Sequence, residues 1–196
     1  ESSIIQRYNE LINTCNNIPT ETPLPLVKFL RWHNLHNLLN IKYIICPRNI
    51  QIVWLPQLKH IFSDKQADIY QNLTCLPCAF ITHNFEVHKS KDVLKRLSDG
   101  LFDFSRCVIL EDTPNLVPVN MPAEGNPEIL KYSLNEVIIQ AELKQPGLLV
   151  LTDAWYPGWQ ADIDGKKTKI YIADYIFRAI ELTAGKHQIR FSYQPK

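Results

Sequence analysis

Asp153-Ala154-Trp155-Tyr156-Pro157-Gly158-Trp159 is the stretch on which the reading of this chain turns. Leu148 to Leu151 enters it as an apolar run, and Trp159, Ala161 and Ile163 leave it in alternation toward Asp164-Gly165. Pro157-Gly158 suits a chain reversal, because Pro presets φ at about −65° and Gly accepts φ > 0 at the next position. Three aromatics crowd that turn. Such a cluster either plugs the end of a β-sandwich or offers flat faces to a ligand.

The neighbouring segments continue the strand texture. Val137, Ile139, Ala141 and Leu143 alternate, as do Thr168, Ile170 and Ile172; Ile180 with Leu182, then Ile189, Phe191 and Tyr193, follow. Asp164-Gly165 is a hairpin signal, since a type I′ turn needs φ > 0 at both central positions, and Ala184-Gly185 marks another turn. This pattern predicts a small antiparallel β-sandwich over 128–196. Upstream, residues 112–127 carry Pro114, Pro118, Pro122 and Pro127 with Gly125 and no periodicity, which reads as a linker.

Before the linker the pattern is mixed. Ile4, Ile5, Tyr8, Leu11 and Ile12 recur at helical spacing, and so do Leu26, Phe29, Leu30 and His33. Ile41 to Cys46 reads as a buried strand. Ile52 to Leu55, Lys59 to Phe62, Ala67 to Gln71, Ala79 to Val87 and Arg106 to Leu110 read as further short strands, and Ser90 is placed to cap a helix running to Leu101. The expected fold class is therefore α+β: a mixed helix/strand domain over 1–111, a Pro-rich linker over 112–127, and an antiparallel β-sandwich over 128–196.

The 196 residues are 45% hydrophobic and 21% charged, which suits a globular chain rather than a disordered one. A net charge of +1 gives no electrostatic reason to expect a nucleic-acid partner. No apolar run approaches the roughly 18 residues of a membrane span. The chain opens at Glu1 without Met, so its ends read as those of an excised fragment. Five cysteines cannot all pair within the chain.

Leu149-Val150-Leu151-Thr152-Asp153, Trp155-Tyr156-Pro157-Gly158-Trp159, Asp164-Gly165, Asp174, Phe177-Arg178-Ala179, Ala184-Gly185-Lys186-His187 and Phe191-Ser192-Tyr193-Gln194-Pro195 together resemble the C-terminal signature of the YfhO family. These are bacterial polytopic membrane proteins regarded as relatives of lipid-linked-sugar glycosyltransferases of GT-C type. Leu39 to Ile45 and the Tyr70 to Phe80 stretch resemble two further family motifs, with Cys78 where the family usually has Arg and Asp174 where Asn is common. The resemblance implies a domain on the extracytoplasmic face of the bacterial cytoplasmic membrane. Its expected partners are flanking transmembrane helices of the same parent chain and a glycan or glycolipid. Catalytic acids of such enzymes belong to a loop near the first membrane helices, so the domain itself is expected to be non-catalytic and to assist envelope glycan modification.

Read from the residues, the candidate ligand-binding set is Asp153, Trp155, Tyr156, Asp174 and Arg178. Arg178 shares a strand face with Ile180 and Leu182, so period-2 geometry points it at the core or its rim, where a guanidinium needs a carboxylate or carbonyl partner. Asp153 and Asp174, both at strand ends, are the candidate partners. Two readings stand side by side: a structural ion pair, or polar groups of a carbohydrate site on which Trp155 and Tyr156 stack. Trp159 belongs to an alternating apolar series and is expected to plug the core. His187 reads as a satisfied core-edge histidine. Cys75-Leu76-Pro77-Cys78 has the spacing of a thiol oxidoreductase pair but lacks the following helix. His33 and His36 at i,i+3 have no accompanying ligand, and Asn72-Leu73-Thr74 matches a glycosylation sequon. No Gly-rich phosphate loop, Ser nucleophile elbow or paired-carboxylate motif is legible, so no cofactor or metal is expected.

Overall fold

The computed structural model describes residues 4–15, 35–48, 56–98, 102–120 and 127–195. Strand is the commonest regular element among them. Three helices occur among the described residues, α1 (Ile4–Cys15), the single turn α2 (Leu35–Leu38) and α3 (Ser90–Leu97). The fourteen strands among the described residues are β1 (Tyr43–Pro47), β2 (Leu58–Ser63), β3 (Ala67–Asn72), β4 (Ala79–Thr82), β5 (Phe85–Val87), β6 (Val108–Leu110), β7 (Glu128–Ser133), β8 (Glu136–Leu143), β9 (Gly147–Leu151), β10 (Trp159–Ile163), β11 (Lys166–Thr168), β12 (Tyr171–Ala173), β13 (Phe177–Leu182) and β14 (Gly185–Tyr193).

They form three sheets, ordered β1-β3-β2, β11-β10-β14-β8-β7 and β4-β9-β13-β12-β6-β5. The expected mixed helix/strand N-terminal domain is therefore corrected: the chain is mostly β, with few helices. The reason lies in pairing. β4 and β6 are too short to build a sheet of their own, and they add to the six-stranded sheet, β4 beside β9 and β6 beside β12. Residues 112–127 lie between β6 of the six-stranded sheet and β7 of the five-stranded sheet. The C-terminal part has the β-rich character that alternation predicts.

The six-stranded sheet is buried on both faces, which is why β9 reads as the unbroken run Gly-Leu-Leu-Val-Leu. Leu149, Leu151, Ile180 and Leu182 pack between the sheets against Val137, Ile139, Ala141, Ile189 and Phe191. On the opposite face Leu148, Val150, Phe177 and Ala179 meet Leu11, Leu35, Leu38, Val93 and Leu97 from the helices. In β9 and β13 alternate residues enter the two cores, whereas β8 and β14 bury one residue set in the inter-sheet core and leave the other on the outer face.

Details differ from the sequence reading where local context overrides pattern. β1 is largely exposed rather than buried, with Ile45 69% accessible: it is an edge strand of the small sheet, and Cys46 is its one buried residue. Lys89, not Ser90, is the N-cap of α3, and the helix ends at Leu97 rather than Leu101. Ala79 to Val87 divides into β4 and β5. The expected helix over Leu26 to His33 and the strand Ile52 to Leu55 lie outside the described residues.

Candidate functional site at the sandwich end

Thr152 leaves β9 tied to β4: its N–H and Oγ both donate to the Cys78 carbonyl, at 2.8 and 3.0 Å. The Asp153 to Trp159 stretch then crosses from the six-stranded to the five-stranded sheet. Trp155 N–H donates to Ile176 O at 2.6 Å, and Trp159 N–H closes the turn on Tyr156 O at 3.2 Å. Gly158 sits at φ 108°, where its carbonyl accepts from Gln194 N–H at 2.8 Å. A Cβ there would lie 2.8 Å from Tyr193 Cε2, so both backbone and space demand glycine.

Arg178 stands opposite Leu151 in the β13–β9 register and is only 1% exposed. Its Nη2 donates to Asp153 Oδ2 at 2.8 Å and its Nε to the Asp153 carbonyl at 3.4 Å. The guanidinium carbon lies 3.9 Å from the Trp159 ring centroid and 5.2 Å from that of Phe191. Tyr132 Oη donates to the second Asp153 oxygen at 2.7 Å, so both carboxylate oxygens are engaged. Burial pulls the Arg178 pKa down to about 10 while Asp153 opposes it, which leaves the group cationic at neutral pH. Burying that charge costs several kcal/mol, and one carboxylate with two stacked rings offsets it. Nη1 has no partner.

Asp174 is not the partner of Arg178. It occupies the β12–β13 turn at φ 45°, followed by Tyr175 at φ 76°, and is 1% exposed. Its N–H donates to Ile109 O at 2.7 Å and its Oδ1 accepts from Ile109 N–H at 2.9 Å, stitching the turn to β6. Oδ2 has no partner, and burial pushes the carboxyl pKa up to about 7 despite the Ile109 bond.

The aromatics divide. Tyr156 is 45% exposed, whereas Trp155 and Trp159 are half-buried. Trp159 packs on the inter-sheet core, as alternation implies, but its further task is covering Arg178. Tyr193 stands beside both Tyr156, at 6.2 Å between centroids, and Trp159, at 5.4 Å. Tyr132 and Tyr193 are members of this cluster that sequence reasoning missed. Tyr193 was legible only as the last residue of an alternating strand, and Tyr132 lies 21 residues from its partner Asp153.

His187 is satisfied by Asp164 Oδ2 at 2.8 Å and by Thr183 at 3.1 Å. Cys75 and Cys78 are free thiols, and burial raises the pKa of both, which lowers their thiolate fraction. His36 is buried, and His33 lies outside the described residues. Among the described residues no three His, Cys, Asp or Glu side chains group as metal ligands, and no helix is long and apolar enough to cross a membrane.

Comparison with known proteins gives two matches. The family described as bacterial membrane protein YfhO matches residues 119–196. A tRNA dimethylallyltransferase of Ehrlichia ruminantium (strain Welgevonden) is 24% identical over 155 residues, covering 74% of this chain and 47% of that protein. The chain thus spans about half the length of that curated relative. No solved structure matches.

Proposed function

Since residues 119–196 match the family described as bacterial membrane protein YfhO, we propose that this chain is a non-catalytic extracytoplasmic domain of a protein of that family and assists modification of a cell-envelope glycan or glycolipid. The observation that favours a non-catalytic role is the closure of the polar groups on one another at the sandwich end. Arg178 is held by Asp153 and roofed by Trp159, and the other Asp153 oxygen is taken by Tyr132. A side chain whose partners are all internal is placed to hold two sheets together rather than to transfer a proton.

Two measurements on the full-length parent test the reading. Fusing alkaline phosphatase after residue 196 is expected to give an active reporter, and a fluorescent cytoplasmic reporter at the same point would overturn the assignment of side. Mass spectrometry of envelope glycans from a deletion strain is expected to show a missing glycosyl substituent; an unaltered profile would overturn the glycan assignment. A second reading, a carbohydrate-binding module using Asp153, Trp155, Tyr156 and Arg178, is favoured by the 45% exposure of Tyr156. Sugar binding that survives Tyr156→Ala and Trp155→Ala would remove it.

A further inference from the structure

At the sandwich end that holds Arg178 two loops project side by side. The turn Leu134-Asn135 joins β7 to β8, and the Ala154 to Gly158 stretch leads into β10. Tyr193 links them: its N–H donates to Asn135 O at 2.9 Å, its ring centroid lies 6.2 Å from that of Tyr156, and the next residue, Gln194, donates its N–H to Gly158 O at 2.8 Å. We infer that this end of the domain dips into the interfacial layer of a lipid bilayer, with Leu134 and Tyr156 as the inserted side chains. The inference rests on the membrane-protein reading above and adds which end of the domain meets the membrane.

Three features carry it. The first is the chemistry of the tips. Leu134 is 94% exposed and joins neither core cluster, although it occupies a two-residue turn where Asn, Asp or Gly would serve the backbone better. Its apolar side chain therefore does nothing for the fold. Tyr156, 45% exposed, and Tyr132, 58% exposed, stand at the same end, and Ala154 and Pro157 are exposed with them. Rings with an apolar body and a polar tip are the side chains that collect where a bilayer meets water.

The second feature is where charge is placed. No charged residue occurs from Ser133 to Asn135 or from Ala154 to Gln160, and Asp153, just behind, is offset by Arg178. Cations stand further back. Lys131 is three residues before Leu134 and Arg190 three before Tyr193, which is about 10 Å along a strand. Both are exposed and both bind Glu136, Lys131 Nζ to Oε2 at 2.5 Å and Arg190 Nε to Oε1 at 2.6 Å, so the trio keeps one positive charge in excess. Tips inserted by the roughly 5–10 Å of an interfacial element bring these cations level with the lipid phosphates. The third feature is extent. A stable protein complex buries roughly 800 Å² per partner, more than two loop tips present, whereas a bilayer accepts any apolar point.

Flotation of the 196-residue chain with lipid vesicles tests this. The chain is expected to float with mixed phosphatidylcholine–phosphatidylglycerol vesicles and more weakly with phosphatidylcholine alone. Leu134→Asn, which suits the turn, and Tyr156→Ser are each expected to weaken binding about ten-fold with an unchanged melting temperature. If Tyr156→Ser lowers that temperature, Leu134→Asn alone carries the decision. A chain that stays unbound would overturn the contact, and so would flotation that Leu134→Asn leaves unaltered, since binding would then run through another face. A dimer in sedimentation velocity that Leu134→Asn dissociates would assign the tips to a second copy and overturn the lipid contact. The alkaline phosphatase fusion and the deletion-strain glycan profile decide the broader reading separately, so failure here leaves that reading standing.

Discussion

Arg178 and Asp153 form a 2.8 Å ion pair whose two halves differ in exposure: the guanidinium side chain is 1% accessible and the carboxylate 22%. The buried half cannot find water if its partner is removed, whereas the carboxylate can. The asymmetry sets the direction of the mutational costs.

Asp153→Ala is expected to destabilise by about 3–5 kcal/mol, because it leaves Arg178 charged and buried. Arg178→Met, which removes the charge and fills the space under Trp159, is expected to cost less. Urea denaturation of the two variants checks the order, and an unchanged midpoint for Asp153→Ala would show that the pair contributes nothing.

Asp174 gives a pH dependence of definite sign. Its folded pKa is raised from 3.8 to about 7, so the native state holds a proton that the unfolded chain releases. The stability it contributes is present below about pH 4 and is lost as the pH rises through its folded value, on the order of 4 kcal/mol in all. Asn at this position tolerates the left-handed backbone and keeps the acceptor for Ile109. Asp174→Asn should therefore gain on the parent as pH goes from 4.5 to 8 in thermal melts; a gain that shrinks with rising pH would refute the assignment.

Gly158→Ala and Gly165→Ala separate backbone strain from crowding. Both glycines have positive φ, 108° and 79°, but an added Cβ meets Tyr193 at 2.8 Å in the first case and nothing within 4 Å in the second. Gly165→Ala should cost about 1–2 kcal/mol from backbone conformation alone, and Gly158→Ala clearly more. Equal costs in chemical denaturation would mean that Tyr193 yields freely.

Thiol reactivity should follow burial. Cys46 is 1% exposed and the Cys107 pKa is pushed up to about 12 by burial, with Glu86 and Asp174 adding to it. Alkylation at pH 8 followed by peptide mapping should therefore modify Cys75 and Cys78 before Cys46 and Cys107. Recovery of a Cys75–Cys78 disulfide from reductant-free protein would contradict the free thiols.

Much of the sandwich was legible because β8 and β14 alternate apolar and polar residues and β9 is an unbroken apolar run. Asp164-Gly165 was legible for a similar reason: both residues have φ > 0, as a type I′ turn requires. The matching turn at Asp174-Tyr175 was not, since Tyr gives no local signal for φ 76°; what holds it there is the bonding of Asp174 to Ile109. Segments such as Ala79 to Thr82 read correctly as strand, but their partners lie far along the chain and periodicity says nothing about partners. At the site, same-face geometry aimed Arg178 inward, yet choosing Asp153 over Asp174 needed the turn in three dimensions.

The interleaving of the six-stranded sheet governs the order in which the chain can fold during synthesis. Ala79 pairs with Leu151 and Leu110 with Ala173, so β4 and β6 leave the ribosome with an open edge and wait for strands made much later. Closure requires β13, which links β9 to β12, and hence synthesis beyond Leu182. Such long-range pairing delays folding and leaves hydrophobic strands exposed in the interim. The first half of the chain therefore keeps unpaired strand edges until its second half arrives.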